Sequence, residues 1–169
     1  MNSLKYAWLT IKHKWFVFLA GLKTGASILD LLLHDMSKFT PSELKHYGRQ
    51  FFGGATDPDG FLGAWIHHQN TNKHHWEYWI PRTAHSRSDP PTPDNEPIPM
   101  PKKYVNEMVA DWMGAGRAYE GKWPNLLDWE WLNENKPKMN LHPITKVRIE
   151  MAIHRAAGLT SNSKSRDQA

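Results

Sequence analysis

Apolar side chains recur at three- and four-residue intervals from Leu4 to Leu22, and this spacing constrains the fold more than any other feature of the chain. Leu4, Ala7, Trp8, Ile11, Trp15, Phe18, Leu19 and Leu22 fall on one side of a helix, which the periodicity reads as its buried face. The apolar run Trp15 to Leu22, between Lys14 and Lys23, is 8 residues long. A membrane-spanning helix needs about 20, so the run reads as part of that buried face and no membrane association is expected.

Further helices follow from punctuation. Gly21 and Gly25 bracket the end of the first, and Ser27 caps a second through Leu33. Pro41 with Ser42-Glu43 opens a third, which Gly53-Gly54 stops after Phe52. Residues 56–60 read as a turn, and a fourth helix begins over Phe61 to His68. Three more are expected over Lys102–Tyr119, Leu126–Asn135 and Ile144–Ala157. No hairpin pattern and no internal repeat occurs, so the fold class is all-α, a compact single-domain helical bundle. At 169 residues the chain suits one domain, expected over 1–158 with a disordered tail at 159–169. Seven prolines crowd positions 81–101. That stretch reads as a long irregular loop, either a lid over a site or a plain insertion.

Cysteine is absent, so any metal must be held by imidazole and carboxylate. A cysteine-free chain without a signal peptide fits a cytoplasmic setting, that of the host if the chain is phage-encoded. The net charge of +4 comes from scattered residues, which gives weak attraction to phosphates but no specific nucleic-acid binding. Nine tryptophans imply a well-formed core or an aromatic-walled cavity; Trp65, Trp76, Trp79 and Trp112 are read as core or pocket wall.

Ten histidines carry the chemical signal, four of them within 67–75. Leu31-Leu-Leu-His-Asp-Met-Ser-Lys38 is an apolar helix ending in His34 and Asp35. Neighbouring His and Asp diverge on a helix but can converge on one ion at a helix end. Taken singly, each piece has a plainer explanation. A histidine such as His13 on an aromatic helix is more often a hydrogen-bonded core residue, and four clustered histidines can be a solvated loop.

Taken together, these residues resemble the HD-domain superfamily of metal-dependent hydrolases. Its pattern has a His on one helix, a His-Asp pair ending the next and an Asp on a later helix. The resemblance implies His13, His34, Asp35 and Asp111 as ligands, with Lys38 as the lysine after the pair. Ser37 stands where glycine is more usual. The chain is also similar to a family of uncharacterised phage and bacterial proteins with His-Asp-x-Ser-Lys-Phe, His-His-x3-Asn-x-His-His and Asp-Trp segments. Here those are 34–39, 67–75 and Asp111-Trp112, and the likeness runs over about residues 8–150.

The resemblance implies one or two divalent transition-metal ions (Mn, Fe, Co or Mg, with Zn compatible). A second ion would take His68 and one of His74 and His75, with Asp35 bridging. Lys38, Glu43, Asn72 and Glu77 are the candidate catalytic residues, Glu43 and Glu77 for orienting a ligand or moving a proton. Lys38, Lys73, Arg117 and Trp112 are candidates for holding substrate. The implied reaction is hydrolysis of a small phosphorylated substrate, foremost a nucleotide, by a stand-alone enzyme. The alternatives are an HD-type di-iron oxygenase and a non-catalytic phage protein that binds a nucleotide or partner. Homodimer formation is left open.

Overall fold

The computed structural model describes residues 1–81 and 96–159. Among them are seven α-helices and no strand: α1 Asn2–Thr24, α2 Ile28–Leu33, α3 Pro41–Phe52, α4 Pro58–Thr71, α5 Lys102–Ala115, α6 Glu130–Asn135 and α7 Pro143–Ala156. The punctuation explains the boundaries. Gly25 ends α1 in the left-handed conformation at φ 75°, its N–H returning to the Gly21 carbonyl. The Ser27 side chain caps α2, and Pro41 opens α3.

Two boundaries differ from the sequence reading. α4 begins at Pro58 rather than Phe61, because Asp57 caps the helix by accepting from the Gly60 N–H. α6 begins at Glu130 rather than Leu126. Asn125 holds the preceding residues in a turn, its side chain accepting from the Leu127 N–H and its carbonyl from Asp128. Beyond α5 the chain widens into a π-helical segment, Gly116–Glu120, that ends at left-handed Gly121.

α1 is the central element, packed most extensively on α5 and α3 and also on α2 and α7. The face it buries is not the expected one. Tyr6, Thr10, His13, Val17, Ala20, Gly21 and Thr24 point inward, whereas Leu4, Trp8, Ile11, Trp15 and Leu22 are exposed. The large apolar core is built by Val17, Leu31, Met100, Val105, Met108, Val109 and Ile149 with their neighbours. A second, smaller cluster joins Tyr6, Tyr47 and Ala64.

The lid question falls mainly on residues 82–95, and the expected tail mainly on 160–169, both outside the described residues. The distal end of the proline-rich stretch is anchored: Ile98 donates its N–H to the Trp79 carbonyl, and buried Met100 donates to Thr145 Oγ1. No described helix is long and apolar enough to cross a membrane.

Candidate metal centre

α2 stops at Leu33, and the backbone turns sharply through His34 and Asp35, the latter at φ 55°. Left-handed backbone is uncommon for a non-glycine residue, although Asp tolerates it better than most. The turn lets adjacent side chains converge, and both are fully buried. The 3-10 turn Met36–Phe39 then delivers Ser37 and Lys38 to the same interior.

Asp35 stands between two groups of imidazoles. Its Oδ2 lies 3.5 Å from His13 Nε2 and 3.5 Å from His34 Nε2. Asp111 completes that group, its Oδ1 at 2.9 Å from His13 Nε2 and 3.4 Å from His34 Nε2. The other oxygen, Oδ1, lies 3.3 Å from His68 Nε2 and 3.4 Å from His74 Nε2. Together with His75 these form a second group whose ligand atoms all fall within 4.8 Å of one another, as do those of the first.

These atoms fit divalent ions. His34, His68, His74 and His75 Nε2 and Asp35 Oδ1 are buried and make no hydrogen bond, whereas Asp35 Oδ2 and His13 Nε2 face Lys38 and Asp111. Leaving so many polar atoms unsatisfied costs roughly 1–3 kcal/mol each, a penalty that metal coordination removes. Nitrogen and oxygen ligands at about 2.1 Å from an ion sit roughly 3–3.5 Å from each other, which is the separation observed. Both His74 and His75 enter the second group, where the sequence reading chose one of the two.

The opposite ring nitrogens of His34, His68 and His74 are fixed by carboxylates. His34 Nδ1 lies 3.0 Å and His74 Nδ1 3.1 Å from Glu107 Oε1. His68 Nδ1 donates to Glu43 Oε2 at 2.9 Å, while His67 Nδ1 lies 2.7 Å from Glu43 Oε1. Asn72 Nδ2 donates to Ser37 Oγ and to the His68 carbonyl. Glu43 and Asn72, expected among catalytic groups, therefore hold the ligand framework in place. Glu107 was missed by sequence reasoning, although it precedes Asp111 by four residues and so shares its helix face. Tyr119 was also missed; its ring stacks on His13 at 5.8 Å between centroids.

Charge in this interior is mutually arranged. Burial alone would raise the Asp35 carboxyl, but His34, Lys38 and His68 outweigh it and hold the group well below the usual range. Lys38 Nζ sits 2.6 Å from Asp35 Oδ2. Burial disfavours its charge, yet Asp35 more than offsets this and keeps the ammonium protonated. His13 and His34 likewise hold Asp111 low against burial. Glu77 is different: burial pushes its carboxyl up, and its Oε2 lies 3.9 Å from His75 Nδ1.

One cleft is lined by residues of the centre, and a second by Tyr119, whose ring stacks on His13. Asn72, Lys73, His34, His74 and Glu107 line the first, of 190 Å³. The second, larger cleft of 650 Å³ has aromatic walls from Trp112, Tyr119, Trp123, Trp129 and Trp131. Arg117 is not brought to the ligands; its guanidinium covers Phe16 and bonds the Gly121 carbonyl.

Compared with curated proteins and with solved structures, the chain finds no match. Residues 2–155, nearly its whole length, match one family model, and the chain belongs to that family, DUF5662, a family of unknown function.

Proposed function

We propose that this chain is a metal-dependent phosphohydrolase of HD type, acting on a nucleotide or another small phosphoester. The observation that carries the reading is Asp35, whose two oxygens face two separate imidazole groups, with Lys38 against one of them. Divalent ions such as Mn, Fe, Co or Mg held by these groups would supply an acidified water and polarise a phosphoryl oxygen.

The remaining work belongs to the chain. Glu43 and Glu107 fix the Nδ1–H of His68, His34 and His74, so that each Nε2 is free to bind an ion. Lys38 offers a fixed positive charge where negative charge grows on a phosphoryl group. Lys73 lines the smaller cleft beside His34 and His74, where it meets an arriving anion. Glu77, 3.9 Å from His75 Nδ1 and protonated to higher pH than an ordinary glutamate, is the candidate for moving a proton beside the second group. The aromatic cleft, bordered by Trp112 directly after Asp111, suits the organic part of the substrate, a nucleobase above all.

Metal analysis of the purified protein, followed by phosphate release from a panel of nucleotides, tests this. The wild type is expected to hold metal and release phosphate, whereas Lys38→Ala keeps the metal and loses turnover. Oxygen uptake by iron-loaded protein without phosphate release would replace the reading with a di-iron oxygenase. Tight nucleotide binding with no product over hours would replace it with a binder.

A further inference from the structure

Leu4, Trp8, Ile11, Trp15, Phe18 and Leu22 alternate at intervals of four and three along α1. This is the spacing of a seam that packs against another helix. Phe18 leans on the core, but nothing in the described chain covers the rest: Leu4 is 76% exposed, Trp8 70% and Trp15 58%. Alongside, α2 packs on α1 with Leu31 against Gly21 and leaves Ile28, Leu29, Leu32 and Leu33 exposed. A tryptophan carries about 150–250 Å². Two that are more than half bare, with the aliphatic side chains around them, expose on the order of 800 Å². That exceeds the usual largest apolar patch of a monomer and equals one partner's share of a standard interface.

We propose that this α1–α2 face is a two-fold interface with a second copy of the chain. The seam holds no charged residue, so pairing it with itself buries no unpaired charge. Its helical spacing fits a helix, and an isologous contact presents such a helix at no cost in a second partner. Lipid is the competing occupant, since residues 1–29 contain four lysines and no acidic residue. Lys12 and Lys14, however, are tied to the Ala118 and His34 carbonyls. Lys5 and Lys23 alone fall short of the clusters of about 4–8 basic residues that hold a protein to anionic membranes. His13 lies on the opposite face of α1, so the α1 seam stays clear of the metal centre, while Leu33 at the edge of the patch lines the smaller cleft.

The test is the mass of the metal-loaded full chain by sedimentation, with twice 19.6 kDa expected. Trp8→Glu/Trp15→Glu should sediment as a monomer, its dissociation constant raised at least ~100-fold, with helical content and bound metal unchanged. The chain has no cysteine, so Ile11→Cys supplies an independent readout. Oxidation should link it into a covalent dimer, while Lys138→Cys, on a remote exposed turn, should stay monomeric under denaturing conditions. A wild type monomeric at every concentration overturns the proposal, as does a dimer that the double variant leaves intact. Vesicles of phosphatidylglycerol that capture a monomeric wild type through Trp8 and Trp15 would assign the face to lipid instead.

Discussion

Asp35 has both carboxylate oxygens buried, each facing a different set of imidazoles, and this makes it the least replaceable side chain in the centre. Asp35→Ala should empty both groups, which metal analysis reads as loss of all bound ions. Glu107→Gln, which touches only the far nitrogens of His34 and His74, should instead weaken binding by roughly 10–100-fold. Full metal content in Asp35→Ala would refute the bridging arrangement. His74 adds a pH dependence. Burial would lower its pKa, but Asp35 and Glu107 outweigh burial and raise it from 6.5 to about 10. In metal-free protein a raised folded pKa stabilises the fold fully below 6.5, and that contribution is lost as pH climbs towards 10. Binding at Nε2 with Nδ1–H kept on Glu107 requires neutral imidazole, so protons compete with metal through the same window. Metal affinity should therefore rise with pH while the metal-free Tm falls; an affinity flat with pH, measured calorimetrically, contradicts the assignment.

Helix α1 presents two stripes, each with the same alternation of fours and threes: Tyr6, Thr10, His13, Val17, Ala20 and Thr24 on one, Leu4 to Leu22 on the other. Periodicity establishes a helix with a face, but hydrophobicity selected the wrong one. The inward stripe is mixed because it serves the ligand-bearing interior at His13 and the apolar core at Val17 and Ala20, and the outward stripe is apolar although it faces out of the fold. Helix ends were more legible, since Ser27, Pro41 and Gly53 act through local backbone geometry. The joint between α1 and α5 gives a sharp test, because these helices carry His13, Glu107 and Asp111. A Cβ on Gly114 would lie 2.7 Å from the Val17 nitrogen and 2.9 Å from its Cα, backbone that cannot rotate away. Gly114→Ala should force the helices apart, costing about 1–3 kcal/mol as overpacking does, and should reduce bound metal together with Tm. Gly63→Ala in α4 meets nothing within 4 Å. It should stabilise the protein by roughly 0.5–1 kcal/mol through helix propensity alone, with metal content untouched. Equal losses in both variants would show that the close approach of α1 and α5 does not matter.

The polar centre borders the two apolar clusters, with Tyr6 and Tyr47 on one side and Val17, Leu31 and Met108 on the other. The side chains that converge there and could hold a metal ion were readable from the chain as a set because their residue types and order are distinctive: His13, His34-Asp35, His68, His74-His75 and Asp111. Arg117 was not, because a sequence gives spacing but not the direction of a side chain beyond a π-helical turn. Bringing these groups together buries three carboxylates, Asp35, Glu43 and Glu107, with half-buried Asp111 beside them, among imidazoles and the Lys38 ammonium. A fold built this way depends on its counterions. Ions that bind the native state and not the unfolded chain add RT ln(1 + [L]/Kd), about 2.7 kcal/mol at a 100-fold excess over Kd. For a domain of this length each kcal/mol moves Tm by roughly 2–4 °C, so saturating metal should raise Tm by roughly 5–10 °C. Chelation should remove that increment and added metal restore it, with helical content largely kept because α1, α5 and α7 also share an apolar cluster that needs no ion. In Asp35→Ala the chelator should have no effect on Tm. A wild type that melts at one temperature with and without chelator, despite measured metal occupancy, would separate ion binding from the stability of this fold.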